Sequence, residues 1–334
     1  MTRSRLAAAV LAAAMGALIV APVAARGDGL PIPGVYAKPG GVANLAGNVH
    51  YVTGTAGGKT VVARVNWTTG NTTAWDRLPG KFSIPAVGLD GSPSGLSANG
   101  HVLALIEARR TFPQSSTHLV VLDTHRLDVR RTINLKGDYS FDAISPDGNR
   151  IYLVQYLSRH DPTHYAVRAY DVGPGRLEPK PIVDPTEPDE QMRGYPITRE
   201  PSPDGRWQYT LYSGDKMPFV HALDTGRGRA RCIDLPRMPG SVYSDRLRIS
   251  PDGRTIGVTS RNKGTLATID TSTFKASKTA PPAPASQNLA SGSSGGGDAF
   301  PWVILAIGAG LAIAAASLWG MPRLRRRRLA GADE

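Results

Sequence analysis

Ser145-Pro146-Asp147-Gly148, Ser202-Pro203-Asp204-Gly205 and Ser250-Pro251-Asp252-Gly253 are three copies of one four-residue word. Pro presets φ at the second turn position, Asp bonds its own backbone, and Gly supplies the positive φ that a tight turn demands. Each copy is followed by a basic residue and a strand-like run: Ile151 to Tyr156, Trp207 to Tyr212, Thr255 to Val258. Roughly 20 residues further on comes a second signature, an apolar strand ending in Asp. Its copies are Ala169-Tyr170-Asp171-Val172, Ala222-Leu223-Asp224-Thr225 and Thr268-Ile269-Asp270-Thr271.

Two weaker copies lie upstream: Ser97-Ala98-Asn99-Gly100 with Val121-Leu122-Asp123-Thr124, and Ala46-Gly47-Asn48 with Val65-Asn66-Trp67-Thr68. The turn glycines are therefore Gly47, Gly100, Gly148, Gly205 and Gly253. Their spacing of about 50 residues suits one four-stranded antiparallel blade each, and no stretch between them keeps a helical period. The expectation is an all-β chain, a β-propeller of about five blades, alternatively six or seven. A sixth would have to hide before Ala43 or between Gly148 and Gly205. Closure of the ring is expected from Gly34-Val35-Tyr36-Ala37, lent to the last blade as its outer strand.

With these repeats the chain, over roughly residues 40 to 280, resembles TolB-like and WD-repeat-like bacterial propellers. The resemblance implies the fold. It does not choose a function, because such repeats serve periplasmic scaffolds, lactonase-like enzymes and peptidase propeller domains alike.

The flanks predict the setting. Arg3 and Arg5, the apolar run Leu6 to Val20 and Val23-Ala24-Ala25 read as an export signal over residues 1–25. The propeller is expected over 26–274 and a disordered Ala/Pro/Ser/Gly tether over 275–299. A membrane helix is expected over 300–321, with the uncharged run Trp302 to Trp319 long enough to span a bilayer, and a basic tail over 322–334. Arg323 and Arg325 to Arg328 place that tail on the cytoplasmic side and make the topology type I, ectodomain outside.

The net charge is +12. Setting aside the signal arginines, the tail arginines, Asp333 and Glu334 leaves about +7 on the exported part, which suits an anionic membrane surface or acidic cell-wall polymer as electrostatic partner. An exported chain does not meet nucleic acid. The single cysteine, Cys232, excludes an internal disulfide and is expected at a blade interface as a small hydrophobe.

Candidate chemistry is thin. His160 and His164 flank Asp161 and Pro162 in a loop between the second and third strands of a blade, two imidazoles without an evident third metal ligand. Asp184, Glu187 and Asp189 belong to the densest acidic stretch, expected as a solvated connection whose oxygens suit calcium but whose spacing is not that of an EF-hand. Arg109, Arg110, Arg159, Arg206, Arg254 and Arg261 recur beside second strands and suggest a basic ring on one rim. Asn66-Trp67-Thr68 and Asn71-Thr72-Thr73 match the glycosylation pattern, which a bacterial composition discounts. There is no Gly-x-Ser-x-Gly elbow, the one literal match, Gly292 to Gly296, falling in the Gly/Ser-rich tether, and no His-Glu-x-x-His, Walker or Gly-x-Gly-x-x-Gly motif, so neither a catalytic set nor a cofactor is assigned. The expected function is a monomeric, membrane-tethered propeller that binds a protein or envelope component on one face. The alternative is a hydrolase of lactonase type with its site in the central channel.

Overall fold

The computed structural model describes Leu30 and residues 35–189, 191–238 and 240–278. The expected signal peptide, most of the tether, the membrane helix and the tail fall outside the described residues. Within them no helix is long and apolar enough to cross a membrane.

The chain forms five four-stranded antiparallel sheets, each built from consecutive strands. The first holds β1 (Val42–Ala43), β2 (Val49–Ala56), β3 (Lys59–Asn66) and β4 (Thr72–Leu78). The second holds β5 (Phe82–Ser83), β6 (Val102–Glu107), β7 (Ser116–Asp123) and β8 (Val129–Lys136). The third holds β9 (Tyr139–Ile144), β10 (Arg150–Tyr156), β11 (Tyr165–Asp171) and β12 (Arg176–Ile182). The fourth holds β13 (Pro196–Pro201), β14 (Trp207–Tyr212), β15 (Phe219–Asp224) and β16 (Arg229–Asp234), and the fifth β17 (Arg246–Ile249), β18 (Thr255–Ser260), β19 (Gly264–Asp270) and β20 (Lys275–Ser277). This is the arrangement of a five-bladed propeller, and the long interval after β12 contributes no further strand among the described residues.

Burial grades across each blade. Every residue of β9 is buried, while its outer partner β12 is half-exposed or exposed throughout. Neighbouring blades share their cores. Val121 and Ile133 meet Phe141 and Ile151, Tyr51 and Val62 meet Leu103 and Leu105, Tyr152 and Val167 meet Leu223, and Ile197 and Leu211 meet Leu247 and Ile256. Sheet-on-sheet burial of this kind is the main stabilising term in a domain without disulfides.

The repeated words explain themselves. In the third blade the Ser145 hydroxyl donates to Asp147 Oδ1 at 2.5 Å and accepts from the Arg150 N–H at 2.9 Å, while Asp147 Oδ1 also takes the Asn149 N–H at 3.0 Å. The Gly148 N–H closes the turn on the Ser145 carbonyl at 2.9 Å. Ser250 and Asp252 repeat the pattern in the fifth blade, and Ser97 with Asn99 imitates it in the second. All five turn glycines have positive φ: 70° at Gly47, 74° at Gly100, 75° at Gly148, 69° at Gly205 and 71° at Gly253. The Thr that follows the Asp signature ties the two words together. Thr124 donates to the Gly100 carbonyl at 2.6 Å, Thr225 to Arg206 at 2.6 Å and Thr271 to Gly253 at 2.8 Å.

Antiparallel order places these turns on one side of the disc, the turn face, and the loops joining second to third strands on the other, the loop face. Asn99 N–H bonds the Pro146 carbonyl at 3.0 Å, so the turns of adjacent blades touch.

Two expectations about the chain ends are corrected. Val35 to Ala37 form no strand, and the fifth blade takes its outer strand from its own continuation, Lys275–Ser277, three residues assigned on sequence to the tether. The turn after Asp270, with Phe274 at φ 55°, brings that segment straight back onto β19. The N-terminal segment is held elsewhere, with the Lys38 N–H on the Gly91 carbonyl at 2.9 Å.

Candidate functional site: the channel and its mouth

The innermost strand of the second blade is interrupted. After Phe82–Ser83 the chain makes a small hairpin, bridged Ala86 to Pro93, with the Val87 N–H on the Ser92 carbonyl at 2.8 Å. Its tip crosses to the fourth blade, where the Leu89 N–H bonds the Pro196 carbonyl at 2.9 Å and the Asp90 N–H that of Ile197 at 3.1 Å. Gly91 turns the tip at φ 74°, and a β-carbon there would lie 2.5 Å from the Tyr36 carbonyl oxygen. A side chain is sterically excluded.

Asp90 sits at this crossing with its side chain buried. It accepts from the Ser92 hydroxyl at 2.5 Å and the Thr198 hydroxyl at 3.0 Å, and pairs with Lys38 at 3.3 Å and Arg246 at 3.4 Å. Burial pushes its carboxyl up, but the Ser92 hydroxyl, Lys38 and Thr198 outweigh that and hold it below its usual range. Next to it Arg199 reaches from β13 to both the carbonyl and the carboxylate of Asp142 on β9, with Nε on the Thr210 hydroxyl at 2.8 Å. Asp90 and Arg199 are thus both paired, while Asp142 Oδ2 is buried with no hydrogen-bond partner among the described residues.

Above this floor a cavity of about 420 Å³ opens on the turn face. All five blades contribute: Asn44 and Leu45, Ser94 and Ala98, Ile144, Glu200 and Gln208, and Ile249. Its ionisable lining is Lys38, Arg199 and Glu200. Burial raises the Glu200 carboxyl above its ordinary range, partly offset by Arg248 and Lys38. The remaining polar groups of the lining are hydroxyls, amides and backbone.

Residues singled out from sequence are placed as follows. His160 is exposed and His164 half-buried, and Asp161 between them binds the Thr163 hydroxyl at 2.6 Å and Arg193 at 2.8 Å. Asp184 is not part of a solvated connection. It is buried, receives the Cys232 N–H at 2.9 Å, the Arg231 guanidinium at 2.8 Å and the Thr186 hydroxyl at 2.6 Å, and so clamps the third blade's exit to β16. Burial would raise its carboxyl, yet Thr186, Cys232 and Arg231 hold it below the usual range. Glu187 and Asp189 are exposed. Among the described residues no group of three or more His, Cys, Asp or Glu is placed to hold a metal ion. Cys232 is half-buried beside His221, lining a cleft of about 260 Å³ between the third and fourth blades. Asn66 serves its own turn, accepting the Thr69 N–H at 3.0 Å.

The six arginines, weighed on sequence as a basic ring or as separate solvent-facing groups, do not share one rim. Arg206 and Arg254 precede second strands and lie on the turn face, whereas Arg110, Arg159 and Arg261 follow them and lie on the loop face. Arg109 faces no solvent at all. Its guanidinium is fully buried, 2.7 Å from Asp138 Oδ2 and 3.2 Å from the Tyr139 carbonyl, with the rings of Tyr156 and Phe112 5.3 and 5.8 Å away. The channel hairpin and Glu200 escaped sequence reading altogether. Their only signal was the unusual run Ile84-Pro85-Ala86-Val87-Gly88-Leu89-Asp90-Gly91, too long for a blade's first strand.

No protein-family model matches the chain, and no curated protein matches it. Solved structures do. A putative TolB from Agrobacterium tumefaciens is 14% identical over 70% of this chain and 77% of its own, with a TM-score of 0.39. The β-propeller domain of Cps50 (Swd1) from Myceliophteria thermophila is 11% identical over 66% and 62%, with a TM-score of 0.40. An oligogalacturonate lyase in complex with manganese is 11% identical over 72% and 63%, with a TM-score of 0.45. The chain therefore spans less than two thirds of the length of the latter two, and likeness at this level assigns no activity.

Proposed function

We propose that this protein is a membrane-tethered, extracytoplasmic propeller that binds another protein or a cell-envelope component through the turn face of its disc. The observation that carries this reading is the cavity of about 420 Å³ at the channel mouth, walled by residues of all five blades over a floor that holds the Arg199–Asp142 and Lys38–Asp90 ion pairs. Rigid rings whose loops vary without touching the core are suited to recognition. Export and anchoring rest on the sequence signals at residues 1–25 and 300–321. Photo-crosslinkers at Asn44 and Gln208 in the full chain, on intact membranes, are expected to trap one discrete partner, and one at Arg130 on the outer edge of the second blade is not. Adducts that ignore position, or none, reject the reading.

One observation favours the enzymatic alternative: Glu200, with its raised carboxyl, faces the same cavity as Lys38. A hydrolase built there loses turnover in Glu200→Gln while a binding module keeps its crosslink.

A further inference from the structure

An exposed cation stands where the second strand passes to the third in every one of the five blades, Lys59 at the start of β3 and Arg110, Arg159, Lys216 and Arg261 in the loops, none with an ion-pair partner among the described residues. One cation per blade on the same face makes a ring, of which sequence reading named only Arg110, Arg159 and Arg261. The loop face also collects apolar side chains in water. Leu157 is 51% exposed, Met217 45% and Tyr243 55%, in the second-to-third loops of the third and fourth blades and the connection into the fifth. Met217 adjoins Lys216 and Leu157 lies two residues from Arg159, so apolar groups and cations alternate on this surface. The loop face also carries exposed Asp215, Glu187, Asp189 and Asp234, which its cations, Lys81, Lys136 and Arg237 among them, outnumber. On the turn face exposed arginines such as Arg254 and Arg227 are interspersed with exposed Asp147, Asp204 and Asp252, and Leu45 and Val129 are large exposed hydrophobes.

β20 runs antiparallel to β19 and so heads toward the loop face, with Ser277 opposite Thr268 in mid-sheet. We propose that the loop face docks on an anionic lipid surface, with the five cations against headgroup phosphates and Leu157, Met217 and Tyr243 in the interfacial layer. Charge complementarity, with the apolar side chains interspersed among the cations, selects a bilayer as occupant. Docking would turn the channel mouth away from the membrane. The inference rests on the anchored, exported reading above, and the test separates the two.

The full chain, with Cys232→Ser and a bimane-labelled cysteine at either Met217→Cys or Asp204→Cys, is reconstituted in vesicles containing nitroxide lipid. With roughly a third phosphatidylglycerol, label at 217 is expected to be strongly quenched and label at 204, on the turn face, is not. Quenching at 217 is expected to be lost in pure phosphatidylcholine and in about 1 M salt, where the screening length falls to about 3 Å. It is also expected to be lost in Arg159→Glu with Lys216→Glu and Arg261→Glu, exposed positions whose variants keep floating with the vesicles. Flotation with equal, weak signals at both positions, or stronger quenching at 204, overturns the docking and leaves the anchor standing. A chain that does not float overturns both.

Discussion

A β-carbon added to Gly148 would lie 2.3 Å from Cγ2 of Val102, so the turn of the third blade is seated against the second strand of the second with no room for a side chain. Gly100 has the same φ and nothing within 4 Å. Gly100→Ala therefore carries only the positive-φ penalty, about 1 kcal/mol. Gly148→Ala adds a clash with the stiff, β-branched side chain of Val102 and is expected to cost about 2 to 4 kcal/mol. Urea midpoints of the two variants measure the difference, and equal midpoints would refute the inter-blade contact.

Arg109 and Asp138 form a pair that cannot be halved cheaply. Asp138→Asn leaves a fully buried guanidinium without its charge partner and is expected to destabilise by about 3 to 5 kcal/mol. Arg109→Met combined with Asp138→Leu removes both charges and is expected to recover most of that loss. A double-mutant cycle in urea measures the coupling, and additive single effects would contradict it.

Acid is expected to unfold the domain in two stages. Burial pushes the imidazole of His221 down to about 4, whereas an unfolded histidine titrates near about 6.5. Protons then bind the unfolded chain preferentially, so stability is complete above about pH 6.5 and is lost as pH falls toward about 4, on the order of 3 kcal/mol in all. Asp270, pulled down to about 2 by the Ser272 hydroxyl and the Thr273 N–H, extends the loss below about pH 4. Urea unfolding between these limits is expected to show the first stage abolished in His221→Phe and retained in Asp270→Asn.

The fragment from Arg26 to Lys278 is expected to fold alone as a soluble monomer, because all five described sheets lie within it and no strand is borrowed from beyond. Sedimentation and circular dichroism check this; helix content or aggregation without detergent counts against it.

The blades were legible because a turn with strict chemistry recurs at a fixed distance from a strand with a fixed end. Ser145, Asp147 and Gly148 each have one local job, and local jobs are written in local words. What was illegible is what depends on distant partners. Asp90 meets Thr198 across 108 residues, and Arg109 reaches Asp138 in the next blade, contacts no spacing rule encodes. The acidic stretch misled for the same reason: Asp184 reads as solvated until Arg231 and Cys232 arrive from the fourth blade.

The hairpin from Pro85 to Ser94 also sets an order of events. A chain threaded outward from its N-terminus presents the second blade well before the fourth, yet Leu89 and Asp90 have no resting place until Pro196 and Ile197 have emerged. The second blade must wait, its inner edge open, for more than a hundred residues of synthesis or translocation. Maturation is thereby timed to the fourth blade rather than to the first pair of sheets, and an emerging chain halted before Tyr195 would display an unpaired β-edge.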